Sequence, residues 1–216
     1  MKNNLLKAVL WGTALVATGL IFSSFGSHNG PKSIMVGDSI TWQWHTKRPD
    51  FFVDDDIVCA GVSGQVTAQM LERFDRDVVA KNPKFVTILG GINDIAQNQG
   101  YISNEDIVKN IVAMVEKAEQ AKIKVVICSV LPSDRIVWRP EIDPVPLVND
   151  LNERLKAYAK AERIPYLDYY SAFVTESGGL PAEFTTDGVH VTEKGYEQME
   201  RMYLDCLRHP KKYLLK

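Results

Sequence analysis

The chain has 216 residues, 45% of them hydrophobic and 24% charged, with a formal net charge of -2. One domain of that size buries a full core without staples, and the composition excludes disordered, collagen-like and coiled-coil chains. Lys+Arg 25 against Asp+Glu 27 gives no basic excess for a nucleic-acid binder, and the three cysteines, Cys59, Cys128 and Cys206, widely spaced and without a C-x-x-C, argue against a disulfide framework or a cysteine zinc site.

Residues 1–26 differ from all that follows. Lys2 and Lys7 precede an apolar stretch from Ala8 to Phe22, and small residues follow in SSFGS. A positive start, a short apolar run and a small-residue cut site describe an export signal peptide. The run is shorter than the ~20 residues of a spanning helix, yet with Ser23–Phe25 it approaches that length, so an uncleaved membrane anchor is the alternative. Both readings put the domain, 27–216, outside the cytoplasm, as a secreted or periplasmic protein or as one held on a membrane. No cysteine follows the apolar run to carry a lipid.

From Lys32 onward the hydrophobic period keeps switching. Apolar runs predict strands at Lys32–Val36, Ile57–Ala60, Phe85–Leu89, Lys124–Val130 and Tyr166–Tyr169. Helical spacing predicts helices over Val66–Val79, from a Ser103 or Asn104 cap to about Ala121, over Pro146–Glu162 and over Thr192–Leu207. In the second of these, Ile107, Ile111, Met114, Val115 and Ala118 share one face. Alternating strands and helices imply right-handed βαβ units, an α/β fold and a parallel sheet covered on both faces. In such sheets a ligand sits beyond the carboxyl ends of the strands. The segments that follow the first three strands are GDSIT, GVSGQVT and GGIND, and TTDGVH comes just before the last helix.

Acyl transfer needs a nucleophile, a base, a group that orients the base, and donors for the oxyanion. Ser39 follows the first strand where a helix begins, which suits a nucleophile and equally a helix N-cap. The chain has four histidines, His28, His45, His190 and His209. His190 stands three residues after Asp187, a spacing that lets a carboxylate hold one ring nitrogen and leave the other as base; the same pair could simply order its loop. His45 is a rival base without a carboxylate in sequence reach, and a surface helix position explains it. Gly64 offers an unobstructed backbone N–H, and Asn93 a side-chain amide; a turn glycine and a turn amide are the plainer readings. Ser63 competes as nucleophile, but GVSGQ lacks the G-x-S-x-G elbow.

Taken in order, GDS, GVSG, GGIND and DGVH resemble the SGNH (GDSL-type) hydrolase superfamily over about Ser33–Leu207. GQVTAQMLERF is similar to the platelet-activating-factor acetylhydrolase-like branch and to exported bacterial acylhydrolases. The resemblance implies a three-layer, flavodoxin-like α/β/α sandwich with five parallel strands, and chemistry that needs no metal or cofactor. By position it makes Ser39 the nucleophile, His190 the base and Asp187 its orienting acid. Its oxyanion hole would be the N–H groups of Ser39 and Gly64 with the Asn93 amide. Two departures are Cys59, where many members carry Asn, and Val191, where Pro is frequent.

Trp42, Trp44, Trp138 and Arg139 are read as loop residues that wall the site, the tryptophans against a sugar ring and Arg139 against a carboxylate or phosphate; the tryptophans could equally pack the loop bases. With export and no lid insertion, short acyl esters on glycans are the expected substrate, with lysophospholipid or thioester cleavage as the alternative. A non-catalytic glycan-binding module is a further reading, against which the chain keeps Ser, His and Asn. A nucleotide-binding domain lacks its glycine-rich phosphate loop, and a metal hydrolase lacks a ligand cluster. Oligomeric state is not legible.

Overall fold

A computed structural model describes residues 29–216, so the expected export segment at 1–26 lies outside the described residues. β1 (Ser33–Gly37) is a fully buried apolar run that ends at Gly37. It leads into α1 (Ser39–Lys47) and α2 (Pro49–Asp54), then β2 (Ile57–Gly61). α3 (Thr67–Glu72) and α4 (Phe74–Asp77) return the chain to β3 (Phe85–Leu89), which is followed by the short α5 (Ile92–Ile95). α6 (Asn104–Gln120), β4 (Lys124–Cys128), α7 (Pro144–Ala161), β5 (Tyr166–Leu167), α8 (Tyr169–Phe173) and α9 (Glu193–Arg208) complete the order.

The five strands pair in parallel in the order β2-β1-β3-β4-β5. Strands buried on both faces read as continuous apolar runs, as β1 and β3 do. Helices α3, α6 and α7 pack together, and α1 packs on α9. Right-handed crossovers that run outward from β1 in opposite directions put these two groups on opposite faces, which makes the three-layer α/β/α sandwich expected from the sequence. The strand order reverses at β1 and β3, so a crevice opens at their carboxyl ends. Gly37 and Leu89, the last residues of the two strands, stand side by side there.

The apolar face of α6 holds as read, with all five named residues buried and Ser103 as cap. The single helix expected over Val66–Val79 breaks at Arg73. That residue turns its guanidinium inward, to Gln65 Oε1 at 2.6 Å, Asp77 Oδ2 at 2.9 Å and the Gly37 carbonyl at 3.2 Å. β4 stops before Val130, whose N–H and C=O are taken by the Asn152 side chain of α7 at 2.8 and 2.9 Å. β5 is two residues long, because Asp168 caps α8 instead of continuing the strand.

Trp44 corrects an expectation. It lies in α1 rather than in a loop, and it is fully buried. Its ring stacks between Phe51 and Tyr196, each at 5.4 Å, and its indole N–H donates to Glu200 Oε1 at 3.3 Å. It holds α1 and α9 together and does not wall a site.

Candidate active site

The turn from β1 into α1 places Ser39 at the carboxyl edge of the sheet. Asp38, not Ser39, is the N-cap: its Oδ1 accepts the Ile40 N–H at 2.9 Å. With the cap supplied by its neighbour, the Ser39 hydroxyl is left for another partner. Its Oγ lies 2.9 Å from His190 Nε2, across 151 positions of sequence.

His190 sits in a tight turn built by Asp187. Asp187 Oδ1 accepts the N–H groups of Val189 and His190 at 2.9 and 2.8 Å, and Oδ2 lies 2.6 Å from His190 Nδ1. Burial works against the Asp187 charge, but hydrogen bonds from the His190 ring and from these two N–H groups outweigh it. The carboxyl therefore titrates below its ordinary range. An ionised carboxylate only accepts, so the ring proton belongs on Nδ1 and the Nε2 lone pair faces the Ser39 hydroxyl. That is the polarity a general base requires. His45, the rival, is exposed on α1 with its ring edge-on to Phe52.

Gly64 follows β2 with φ +78°, a left-handed backbone that favours glycine, and a Cβ there would meet nothing within 4 Å. Among the described residues, neither the Gly64 nor the Ser39 backbone N–H has a protein acceptor. Asn93 is buried in α5. It donates through Nδ2 to the Gln65 carbonyl at 3.1 Å and accepts at Oδ1 from Asn98 Nδ2 at 2.8 Å. The Asn93–Gln65 bond thus ties the loop after β3 to the loop that carries Gly64.

Trp138 and Trp42 keep large exposed faces, 37% and 46%. The Trp138 ring stands 6.0 Å from that of His190. Trp42 lies on α1 rather than in a loop, one turn beyond Ser39. Arg139 donates to the carbonyls of Ala96 and Gln97 at 3.1 and 3.4 Å. Its guanidinium clamps the segment after α5 through Nε and Nη2, while Nη1 lies 4.0 Å from Glu141 and the side chain stays 41% exposed. Cys59 has its thiol between the Thr41 carbonyl and the Gly61 N–H, at 3.5 and 3.4 Å.

Three polar residues beside the site went unread in the sequence. Asp38 is fully buried, and that burial pushes its carboxyl up to about 6, opposed by the Ile40 N–H and the nearby His190. Asp94 anchors Thr67 at the start of α3. Asn98 braces Asn93. Asp38 and Asp94 were visible inside GDS and GGIND; Asn98 carried no signal. Among the described residues no group of His, Cys, Asp or Glu is arranged to hold a metal, and no helix is long and apolar enough to cross a membrane.

The family model for GDSL-like lipases and acylhydrolases matches residues 35–198. A GDSL-like lipase from Bacteroides thetaiotaomicron is 39% identical, with a TM-score of 0.80 over 82% of this chain and 88% of the other. An acetyl-xylooligosaccharide esterase from Geobacillus shares the fold at 18% identity and a TM-score of 0.67, over 82% of this chain and 94% of its own. The uncharacterized lipoprotein YqeF of Bacillus subtilis is 24% identical over 65% of this chain and 68% of its own.

Proposed function

As the chain belongs to the GDSL-like lipase/acylhydrolase family and is a carboxylic ester hydrolase, we propose that it works as a serine esterase, removing short acyl groups from carbohydrate through an acyl-enzyme. The Ser39–His190–Asp187 chain, with contacts of 2.9 and 2.6 Å, carries this reading. Ser39 Oγ attacks the ester carbonyl while His190 Nε2 takes its proton, and Asp187 steadies the imidazolium that forms. The oxyanion is held by the N–H groups of Ser39 and Gly64 and by the Asn93 amide. His190 returns the proton to the leaving alcohol, then activates the water that cleaves the acyl-enzyme. Every proton passes through one ring nitrogen.

A carbohydrate alcohol is supported by the exposed Trp138 ring beside His190, since an aromatic face suits a sugar ring. The fold is shared with an acetyl-xylooligosaccharide esterase, which is consistent with that choice. Val62 and Val137, both exposed, Val62 two residues before Gly64 and Val137 next to Trp138, favour the second reading, in which a longer acyl chain of a lysophospholipid or thioester is bound. The export-signal or anchor reading of residues 1–26 supports work outside the cytoplasm, in the periplasm, secreted, or on a membrane.

Hydrolysis of p-nitrophenyl acetate by residues 27–216 beside Ser39→Ala tests the mechanism. The variant should fall to near background, whereas equal rates would remove Ser39 from the chemistry. Acetylated xylo-oligosaccharides should be better substrates than long-chain p-nitrophenyl esters or lysophospholipids. A preference for acyl chains beyond about eight carbons, well past what a small acyl site selects, would establish the second reading.

A further inference from the structure

α5 ends in a Schellman turn. Gln97 takes a left-handed φ of 54°, its N–H returns to the Asp94 carbonyl at 2.9 Å, and the Asn98 N–H returns to the Asn93 carbonyl at 3.0 Å. A non-glycine residue pays for that backbone, by ~1–2 kcal/mol, and the Arg139 bonds to Ala96 and Gln97 brace it. The turn folds Asn98 back over Asn93, so that the two side-chain amides meet.

These amides form a relay with a single direction. At one end the Trp138 indole N–H, which can only donate, lies 3.0 Å from Asn98 Oδ1. Asn98 must then present its NH2 to Asn93, and Asn93 must accept through Oδ1, at 2.8 Å. At the other end the Gln65 carbonyl, which can only accept, takes one Asn93 N–H at 3.1 Å. The second Asn93 N–H is left without a protein acceptor among the described residues. An Asn amide has nearly the same shape either way round, so its hydrogen-bond partners decide the orientation. Here two one-way groups forbid the flip.

We propose that Trp138 and Asn98 are positioning residues that hold the Asn93 amide with its N–H toward the oxyanion; this rests on the oxyanion role given to Asn93 above. Trp138 therefore acts through hydrogen-bond polarity, beyond any contact of its ring with substrate. A flipped Asn93 would turn a carbonyl oxygen toward the developing negative charge. The cost falls on the transition state and spares ground-state binding, so it appears in kcat rather than KM.

The test measures kcat and KM of the full chain on p-nitrophenyl acetate for Trp138→Phe, Asn98→Asp, Asn93→Ala and the double variant Asn93→Ala/Trp138→Phe. Trp138→Phe keeps a ring beside His190 and removes the N–H. It should lower kcat about 10-fold with KM within about twofold, less than the ~10²–10³ of losing a donor outright. Asn98→Asp keeps the shape but sets an acceptor against Asn93 Oδ1, and should lower kcat further. In the Asn93→Ala background, Trp138→Phe should cost less than about twofold, because neighbours acting through one group are not additive. An equal loss in both backgrounds, or a rise in KM at constant kcat, would overturn the relay while leaving Asn93 in place. Wild-type kcat in Asn93→Ala would overturn both readings together.

Discussion

Asp94 and Thr67 are joined three ways: Thr67 Oγ1 donates to Asp94 Oδ1 at 2.6 Å, and the Thr67 N–H reaches both carboxylate oxygens at 3.1 and 3.0 Å. Asn110 in turn donates to Thr67 Oγ1 at 3.0 Å. Asp94 follows β3, and Thr67 opens the helix after Gly64. This junction keeps the Asn93 and Gly64 loops in register. Asp94→Ala leaves a buried N–H and hydroxyl without their acceptor, at a cost of roughly 1–3 kcal/mol. Urea unfolding should show the lower midpoint, and kcat should fall with it. Unchanged stability would mean that the loops are held elsewhere.

Asp187→Asn replaces an acceptor-only carboxylate with an amide that favours the opposite ring tautomer. kcat should fall by about 10³–10⁴ with KM little changed. The lowered Asp187 titration also fixes a sign. A carboxyl with a depressed folded pKa contributes stability that is present above its ordinary range and is lost as pH falls through the folded value. Its share of acid unfolding therefore lies below the usual carboxylate range. Denaturation of wild type and Asp187→Asn across pH should converge only there.

Asp38 has the opposite sign. Its folded pKa is raised from 3.8 to about 6, so the folded state holds the proton more tightly than the unfolded chain. The stability this contributes is complete below the unfolded value and is lost as pH rises through about 6. Asn caps a helix as well as Asp does. Asp38→Asn should therefore gain on wild type between about pH 4 and 6, by roughly 3 kcal/mol at most, and hold a constant margin above about pH 7. A constant difference over the whole range would show that burial does not perturb this group.

Gly64→Ala separates backbone strain from crowding. With φ +78° and nothing within 4 Å of a new Cβ, the cost to stability should be about 1 kcal/mol, from the left-handed backbone alone. The methyl would project beside the proposed oxyanion donor, so kcat/KM should fall by more than that stability loss implies. Equal activity at reduced stability would place the substrate away from Gly64.

Local periodicity carries real structural information here. The bounds of β3 and the buried face of α6 follow from which side chains are apolar and how they are spaced. The order of GDS, GVSG, GGIND and DGVH was legible too, since each short block lies next to an element that periodicity locates. Tertiary structure decided what depends on partners far apart in sequence. A helix that spacing makes continuous breaks at Arg73, whose guanidinium turns inward to Gln65 and the Gly37 carbonyl, partners that spacing does not reveal. Trp44 is buried while Trp42, two residues before it, is exposed, because α9 covers only one side of α1. Asp38 takes the cap and frees Ser39 for a histidine 151 positions away. Hydrogen-bond polarity is settled the same way: composition determines which donors and acceptors exist, but only packing decides which are consumed and which face the substrate.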